Sequence, residues 1–376
     1  MFSLLVNKKN ILKDCGAFKK YLKFFYSYKL KIDNAGFKLK LLTDNLKNNN
    51  LKLYFYIVLT IRNTKNFRIE KPTIVTIGTF DGVHLGHQKI LSRLQQLKQK
   101  HGLNTVVLTF EPHPRKVLFP EQNDLKLITL VEEKLNLLQN YGVDVTIVYP
   151  FDKSFSHIEA KEYIEEILIK SLKVKFLVIG YDHKFGKNRG GDIKALKQFS
   201  KDYGYEVEEI NALDIDHIAI SSSKIRHAIE DGNIDLANNY LGHNFFLFAV
   251  VIPGKQLGRT IGYATANLKI EGKDKLIPKI GVYFVEVIYN ELRFYGMMNI
   301  GYNPTTDNDK NIKLEVHIFN FEENIYGKTV CINFLKYLRN EKKFNTLDEL
   351  ICELHEDKKK CLVLIEEIKK KLCSLS

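Results

Sequence analysis

Between residues 73 and 210 the chain alternates short apolar runs with longer amphipathic stretches, and beyond residue 245 that alternation stops. TIVTI (73–77), TVVLTF (105–110), VDVTIVY (143–149), FLVIG (176–180) and YEVEEI (205–210) read as strands. Helical stretches separate them: 87–102, closed by Gly102; 132–142, closed by Gly142; one opened by Ser156 and Glu159 as a capping box and running to about 172; and 191–203. Strands joined through helices pair in parallel, which predicts a doubly wound sheet. Two short helices follow over 221–242, each ended by glycine. FFLFAVVI (245–252), VYFVEVIY (282–289), FYGMMNI (294–300), IKLEVHIF (312–319) and KTVCINFL (328–335) then succeed one another with little helix between, the spacing of a closed antiparallel barrel. A Lys-rich helix over 346–372 ends the chain. The expected fold class is α/β plus β: a parallel-sheet domain over 66–240, then an antiparallel β-barrel domain with a terminal helix over 241–376.

Charge adds less than its total suggests. The net charge of +13 invites a polyanionic partner, yet residues 1–70 hold 15 basic against 4 acidic residues while the other 306 hold 42 against 40. The basic charge belongs to an N-terminal arm, and the folded body is nearly neutral. The run LYFYIVLTI (53–61) is too short to span a membrane and fits a strand. Five scattered cysteines, with no CxxC pair, point to reduced thiols and a cytoplasmic location.

GTFDGVHLGH (78–87) stands where a strand gives way to a helix. Ligands bind at such carboxyl ends in α/β sheets, and the backbone N–H groups and dipole of a helix start attract anions. His84 and His87, three apart, would face one side. Taken alone, the pair is open to three readings: a structural turn, a metal site or a phosphate contact. The glycine frame favours phosphate, and a metal would need a third ligand, for which the nearest candidate, His113, lies in another loop. ISSSKIR (220–226) offers a matching grip, with hydroxyls at Ser222 and Ser223 and cations at Lys224 and Arg226, although an ordinary helix cap would look the same.

HxGH followed by SSxKIR resembles the nucleotidyltransferase superfamily. GTFDGVHLGH, TFEPHPRKVL (109–118), GYDHKFGKNRGGD (180–192), ISSSKIR, GKQLGRTIGYATANL (254–268), MNIGYNPT (298–305), LEVHIF (314–319) and LRNEKKF (338–344) together resemble, in order, the bacterial bifunctional riboflavin kinase/FMN adenylyltransferase family over residues 66–360. The resemblance implies a Rossmann-like adenylyltransferase domain that converts FMN to FAD and a barrel kinase domain that converts riboflavin to FMN, both using ATP. It implies that Gly78, Phe80, His84 and His87 meet the ATP phosphates, with Ser222, Ser223 and Arg226 opposite them. His113, Pro114, Asp182 and Phe185 would line the flavin pocket, although Phe185 fits core packing equally well. In the barrel, Gly254, Gly258 and Arg259 would form an ATP-phosphate loop, and Thr265 and Asn267 would bind Mg²⁺ through neutral oxygens. Glu315 would be the general base, though alternation with Leu314 and Val316 is also that of an ordinary solvent-facing strand carboxylate. Arg339, Glu341 and Phe344 would sit on the flavin side.

Three positions depart from the family pattern. Ala264 stands where proline usually precedes TAN, which predicts a looser loop and weaker kinase activity. SSS replaces SST, and His183 replaces a frequent aromatic. Residues 1–65 match nothing in the family and have three readings: sequence upstream of the true start, a basic arm for anionic partners, or a transit peptide poor in Arg and Ser. The expected partners are riboflavin, FMN and ATP, without nucleic acid or membrane, in a monomer or weak homo-oligomer. Rival readings are a nucleic-acid binder acting through the arm and a single-activity enzyme with one degenerate domain.

Overall fold

A computed structural model of the protein describes residues 35–43, 53–62, 64–122, 124–181, 183–187, 190–211, 214–215, 218–254, 258, 261–302 and 312–375. The chain forms two compact units that do not follow its order. The first comprises described parts of 1–79, 90–120 and 142–211, and the second described parts of 80–89, 121–141 and 212–376.

The first unit is built on a seven-stranded sheet. Its strands are β1 (Ala35–Thr43), β2 (Leu53–Arg62), β3 (Thr73–Ile77), β4 (Asn104–Glu111), β5 (Val145–Pro150), β6 (Val174–Gly180) and β7 (Glu206–Ile210), in the order β1-β2-β5-β4-β3-β6-β7. Every pairing is parallel except β1 with β2. The windings to β4 and to β6 start on opposite sides of β3, so the sheet's switch point lies beside β3, whose carboxyl end leads into Gly78. β3 is buried along its whole length, as a central parallel strand must be.

The strand expected over 53–61 is β2, and Ile61 is fully buried in the sheet's core with Val106, Leu108 and Ile147. β1 lies where the sequence shows no clear period, so part of the basic arm belongs to the sheet. Helix α1 (Leu85–His101) buries Ile90, Leu91, Leu94 and Leu97, the apolar stripe of a 3.6-residue period. The short α2 (Pro114–Leu118) follows β4, and α3 (Val131–Asn140) belongs to the second unit.

The expected capping box at Ser156 is corrected. Asp152 caps a separate short helix, α4 (Lys153–Ser156), by accepting the Phe155 N–H at 2.8 Å. The chain re-enters helix only at α5 (Ala160–Glu162), which winds on as a π-helical stretch over Tyr163–Ser171. Ser156 instead ends α4, its hydroxyl donating to Lys153 O at 2.7 Å. Helix α6 (Ile193–Tyr203), capped by Asp192, completes the unit.

In the second unit, β8 (Asp214–Ile215) and β9 (Ile218–Ala219) form a small antiparallel ribbon before helices α7 (Ser222–Glu230) and α8 (Ile234–Leu241). A closed antiparallel barrel then runs in the order β10-β11-β14-β13-β12-β15. Its strands are β10 (Phe246–Ile252), β11 (Ala266–Lys269), β12 (Gly281–Tyr289), β13 (Leu292–Tyr302), β14 (Ile312–Ile318) and β15 (Thr329–Arg339). The sequence suggested five of these. β11 was missed because its four residues, ANLK, are too short to show a period. Leu247, Val251, Val285, Val316 and Ile332 fill the barrel together with Ile225, Ile229 and Leu241 of α7 and α8. Helix α9 (Leu347–Leu375) packs Cys361 and Ile365 against Phe284, Met297 and Phe319. Among the described residues no helix is long and apolar enough to cross a membrane.

Candidate active sites

The loop after β3 is held in conformations that ordinary residues avoid. Phe80, Gly82 and Val83 have φ of 49°, 81° and 41°. For a β-branched residue such as Val83 this is strain, maintained only where surroundings over-determine the backbone. Here they do. Phe80 and Val83 are almost wholly buried, and a Cβ added at Gly82 would lie 3.1 Å from both Ile128 and Leu241. The loop's polar groups are fixed as well. Gly82 N–H donates to Thr129 Oγ1 at 2.9 Å, and Ser222 Oγ donates to Asp81 O at 3.1 Å. His243 Nε2 lies 2.9 Å from Gly82 O, and Gln88 Nε2 donates to Val83 O at 2.9 Å and to Leu241 O at 2.6 Å.

Asp81 is the centre of this loop, and nothing in the sequence singled it out. Its buried carboxylate accepts from Ile128 N–H at 3.2 Å and Thr129 N–H at 2.9 Å. It also pairs with Arg226 Nη2 at 2.5 Å, while Arg226 Nε donates to Lys126 O at 2.8 Å. Arg226 is thus anchored to the loop rather than extended from it. Ser221, not Ser222, caps α7, which leaves Ser223 in the first turn and exposed.

The two histidines are neighbours. Their rings stack with centroids 3.7 Å apart and planes 19° apart, and Phe80 lies 4.8 Å from the His87 ring. His84 immediately precedes α1 and its carbonyl accepts from Gln88 N–H at 2.9 Å. His87 keeps some exposed surface, but its Nδ1 is sealed from solvent without a hydrogen-bond partner. Burial lowers the His87 pKa well below the ordinary histidine value, and the charges of His84 and Lys134 push the same way. In neutral solution it is therefore an uncharged imidazole. Gly78 closes β3, donating its N–H to Leu108 O at 3.1 Å, so that group is not available to a phosphate.

The flavin candidates outside the barrel belong to the first unit. His113 precedes α2 and its Nδ1 accepts the Arg115 N–H at 3.2 Å, with Pro114 as the first helical residue. Phe185 is buried in the core, 5.1 Å from the Tyr163 ring and 5.9 Å from His183. A Cβ on Gly191 would fall 2.6 Å from the Phe185 ring, so that glycine makes room for it. Asp182 lies outside the described residues.

Between the barrel and α9 lies a cavity of about 370 Å³ lined by six of the expected residues: Gly258, Thr265, Glu315, Arg339, Glu341 and Phe344. Glu315 on β14 stands in register with Asn267 on β11 and with Asn299 on β13, so the three side chains form a row on one face. Lys313 Nζ sits 2.6 Å from Glu315 Oε1. Asn267 is buried, and a Cβ on Gly254 would come within 1.9 Å of its Nδ2, so only glycine lets the backbone approach this amide. Glu341 packs on the backbone of Gly301 in the same way, 2.1 Å from where a Cβ would stand. Arg259 lies outside the described residues. Asn299, His317 and Asp357 are among the cavity residues that went unassigned in the sequence. Asn299 and His317 fall within quoted motifs, but Asp357 lies mid-helix among many charged residues and carried no signal. His317 Nδ1 lies 2.8 Å from Ala264 O and donates to it.

Among the described residues no cluster of three His, Cys, Asp or Glu could hold a metal ion. The donors present, Thr265 and Asn267, are neutral oxygens, the set that suits a hard divalent cation arriving with nucleotide phosphates.

Comparison with known proteins matches both halves of the chain. A family model for FAD synthetase matches residues 66–224, and one for riboflavin kinase matches residues 241–365. A bifunctional riboflavin kinase/FMN adenylyltransferase of Haemophilus influenzae is 40% identical over 291 residues, 77% of this chain and 93% of that protein. Its namesake in Escherichia coli K12 is 37% identical over 289 residues, 77% and 91% of the two chains. A crystal structure described as a macrolide-efflux protein from Streptococcus pneumoniae superposes with a TM-score of 0.74 at 32% identity, covering 80% of this chain and 97% of that one.

Proposed function

The chain belongs to the bifunctional riboflavin kinase/FMN adenylyltransferase family, and from that premise we propose how its two sites divide the work. The barrel transfers the γ-phosphoryl group of ATP to the 5′-hydroxyl of riboflavin, giving FMN and ADP. The α/β half transfers the adenylyl group of a second ATP to the FMN phosphate, giving FAD and pyrophosphate.

The observation that carries this reading is the row Asn267–Glu315–Asn299, in which Glu315 and Asn299 line the cavity. Glu315 is the one carboxylate in that row and accepts the proton of the attacking hydroxyl. Thr265 and Asn267 would hold Mg²⁺ with the ATP phosphates, and the ion would supply charge neutralisation for the transferred group. Lys313, paired with Glu315, orients its carboxylate. Arg339, Glu341 and Phe344 orient the flavin.

In the adenylyl site FMN already carries its nucleophile, so the protein needs only to position and neutralise. His87, uncharged, donates one N–H toward the phosphates. Ser223 and the first turn of α7 offer further donors, and Arg226, tied to Asp81, supplies positive potential from a fixed position. ATP, riboflavin and FMN are the small-molecule ligands, and the cytoplasm is the expected compartment.

Chromatography of a reaction with riboflavin, ATP and Mg²⁺ tests the proposal. Successive appearance of FMN and FAD is expected. FMN alone would leave the adenylyl half without function, and neither product would overturn both assignments.

A further inference from the structure

A second buried cluster stands apart from the groups that meet substrate. Lys275, in the segment matched by the riboflavin kinase model, has a fully buried side chain, and so in effect does Glu133, in the segment matched by the FAD synthetase model. Both belong to the second compact unit, as do the phosphate loop and the barrel. The Lys275 ammonium has three acceptors for its three protons: Glu133 Oε2 at 2.6 Å, Phe246 O at 2.6 Å and Ile128 O at 2.7 Å. Glu133 is equally occupied, accepting from Leu130 N–H at 2.8 Å and Phe248 N–H at 3.1 Å.

A buried lysine is costly, because burial disfavours its charge, and Glu133 offsets that cost. Such a pair is weak evidence for stability, since apolar residues of similar volume commonly serve as well. Its geometry suggests what it adds. Ile128 is gripped at both ends of one residue: Lys275 holds its carbonyl and Asp81 holds its N–H. The neighbouring backbone is stitched to the same place, with Leu127 N–H donating to Asp274 O at 2.7 Å and Leu276 N–H donating to Leu127 O at 2.8 Å. From Ile128 and Thr129 the contacts pass to Asp81 and from Asp81 to Arg226. Thr129 also fixes Gly82, in the strained turn that presents His84 and His87.

We propose that Lys275, a residue of the kinase segment, is a positioning residue for adenylyl transfer: with Glu133 it sets the Leu127–Thr129 backbone against which Asp81, and through it Arg226 and the phosphate loop, is aligned. Lys275 touches no substrate. It acts through Ile128, and its contribution is to the geometry of the loop rather than to phosphoryl transfer in the barrel. This inference rests on the adenylyl-transfer reading given above.

The test measures both activities on the same full-length chain. Lys275→Met alone would strand the Glu133 carboxylate in the core, so Lys275→Met/Glu133→Gln is the main variant, and Glu133→Gln, which keeps the ammonium and its two carbonyl contacts, is the gentler one. Kinase turnover serves as the gauge of folding. The double variant is expected to lose tenfold or more in kcat for FMN to FAD, with a raised KM for ATP, while riboflavin kinase kcat stays within twofold. Glu133→Gln is expected to lose two- to fivefold in the same step. Displacements of about 1 Å at a reacting centre have effects of this order or larger. Wild-type kcat and KM for adenylyl transfer in either variant overturns the inference, as does a parallel fall of both activities, which marks a merely structural pair. If the wild-type chain makes no FAD from FMN, the functional reading fails instead, so the two failures are distinct.

Discussion

Arg339 and Asp357 form a bidentate pair at the cavity between the barrel and α9. Arg339 Nε lies 3.0 Å from each carboxylate oxygen and Nη2 lies 2.7 Å from Oδ2, with Asp357 wholly buried. Glu353 adds a third contact at 3.1 Å. Arg339 ends β15 and Asp357 lies in α9, so the pair fixes the guanidinium from the terminal helix.

Asp357→Ala is therefore expected to raise the riboflavin KM of the kinase several-fold. It should also lower stability by about 3–5 kcal/mol, the usual cost of stranding one partner of a buried ion pair. Denaturant unfolding with steady-state kinetics reads both. An unchanged riboflavin KM would mean that Arg339 does not orient the flavin.

The two activities should separate cleanly by substitution. Glu315→Ala is expected to reduce FMN formation by at least ~10²-fold, the lower range for loss of a general base, and to leave FMN-to-FAD conversion intact. His87→Ala should do the opposite. Loss of both activities in both variants would dissolve the two-site assignment.

Ala264 takes the place of the proline usual before TAN, and the expected looseness there is answered in part by His317, which donates to the Ala264 carbonyl. His317→Phe should lower kinase kcat about two- to fivefold, since a hydrogen bond to an exposed carbonyl is worth ~0.5–1 kcal/mol. Ala264→Pro should raise kinase turnover, and more so in the His317→Phe background. Turnover unaffected by Ala264→Pro in either background would show that the loop needs no further restraint.

His87 and His317 both have pKa values below the ordinary 6.5, with burial the leading cause in each. The unfolded chain takes up those protons as pH falls through 6.5, whereas the folded chain resists until lower pH. The unfolded state binds more protons in that window, so stability is full above about pH 6.5 and declines below it. Tm should be lower at pH 5.5 than at pH 7.5, and His317→Gln should narrow the difference. Equal pH dependence in wild type and variant would contradict this account.

Much of the architecture was legible because it is periodic. β3, β4 and β6 are continuous apolar runs, and α1 shows its stripe at Ile90, Leu91, Leu94 and Leu97. β11 was not legible, because a four-residue strand gains its identity from its neighbours β10 and β14. Ser156 misled because a serine three residues before a glutamate looks the same whether or not an aspartate upstream has already capped the turn. In the sites, the residues expected to face substrate were named through motifs. Those that hold them, Asp81, Thr129, His243, Lys275 and Asp357, were not, since each is defined by a partner 18 to 161 positions away along the chain.

The left-handed turn at Phe80–Val83 has a thermodynamic corollary. Its backbone is already fixed by buried side chains and filled hydrogen bonds before any nucleotide arrives. A triphosphate entering there has little main chain to immobilise, so association forfeits little conformational entropy. Calorimetry of ATP binding should accordingly show neither the large unfavourable entropy of coupled ordering nor the heat-capacity decrement of a segment folding around its ligand.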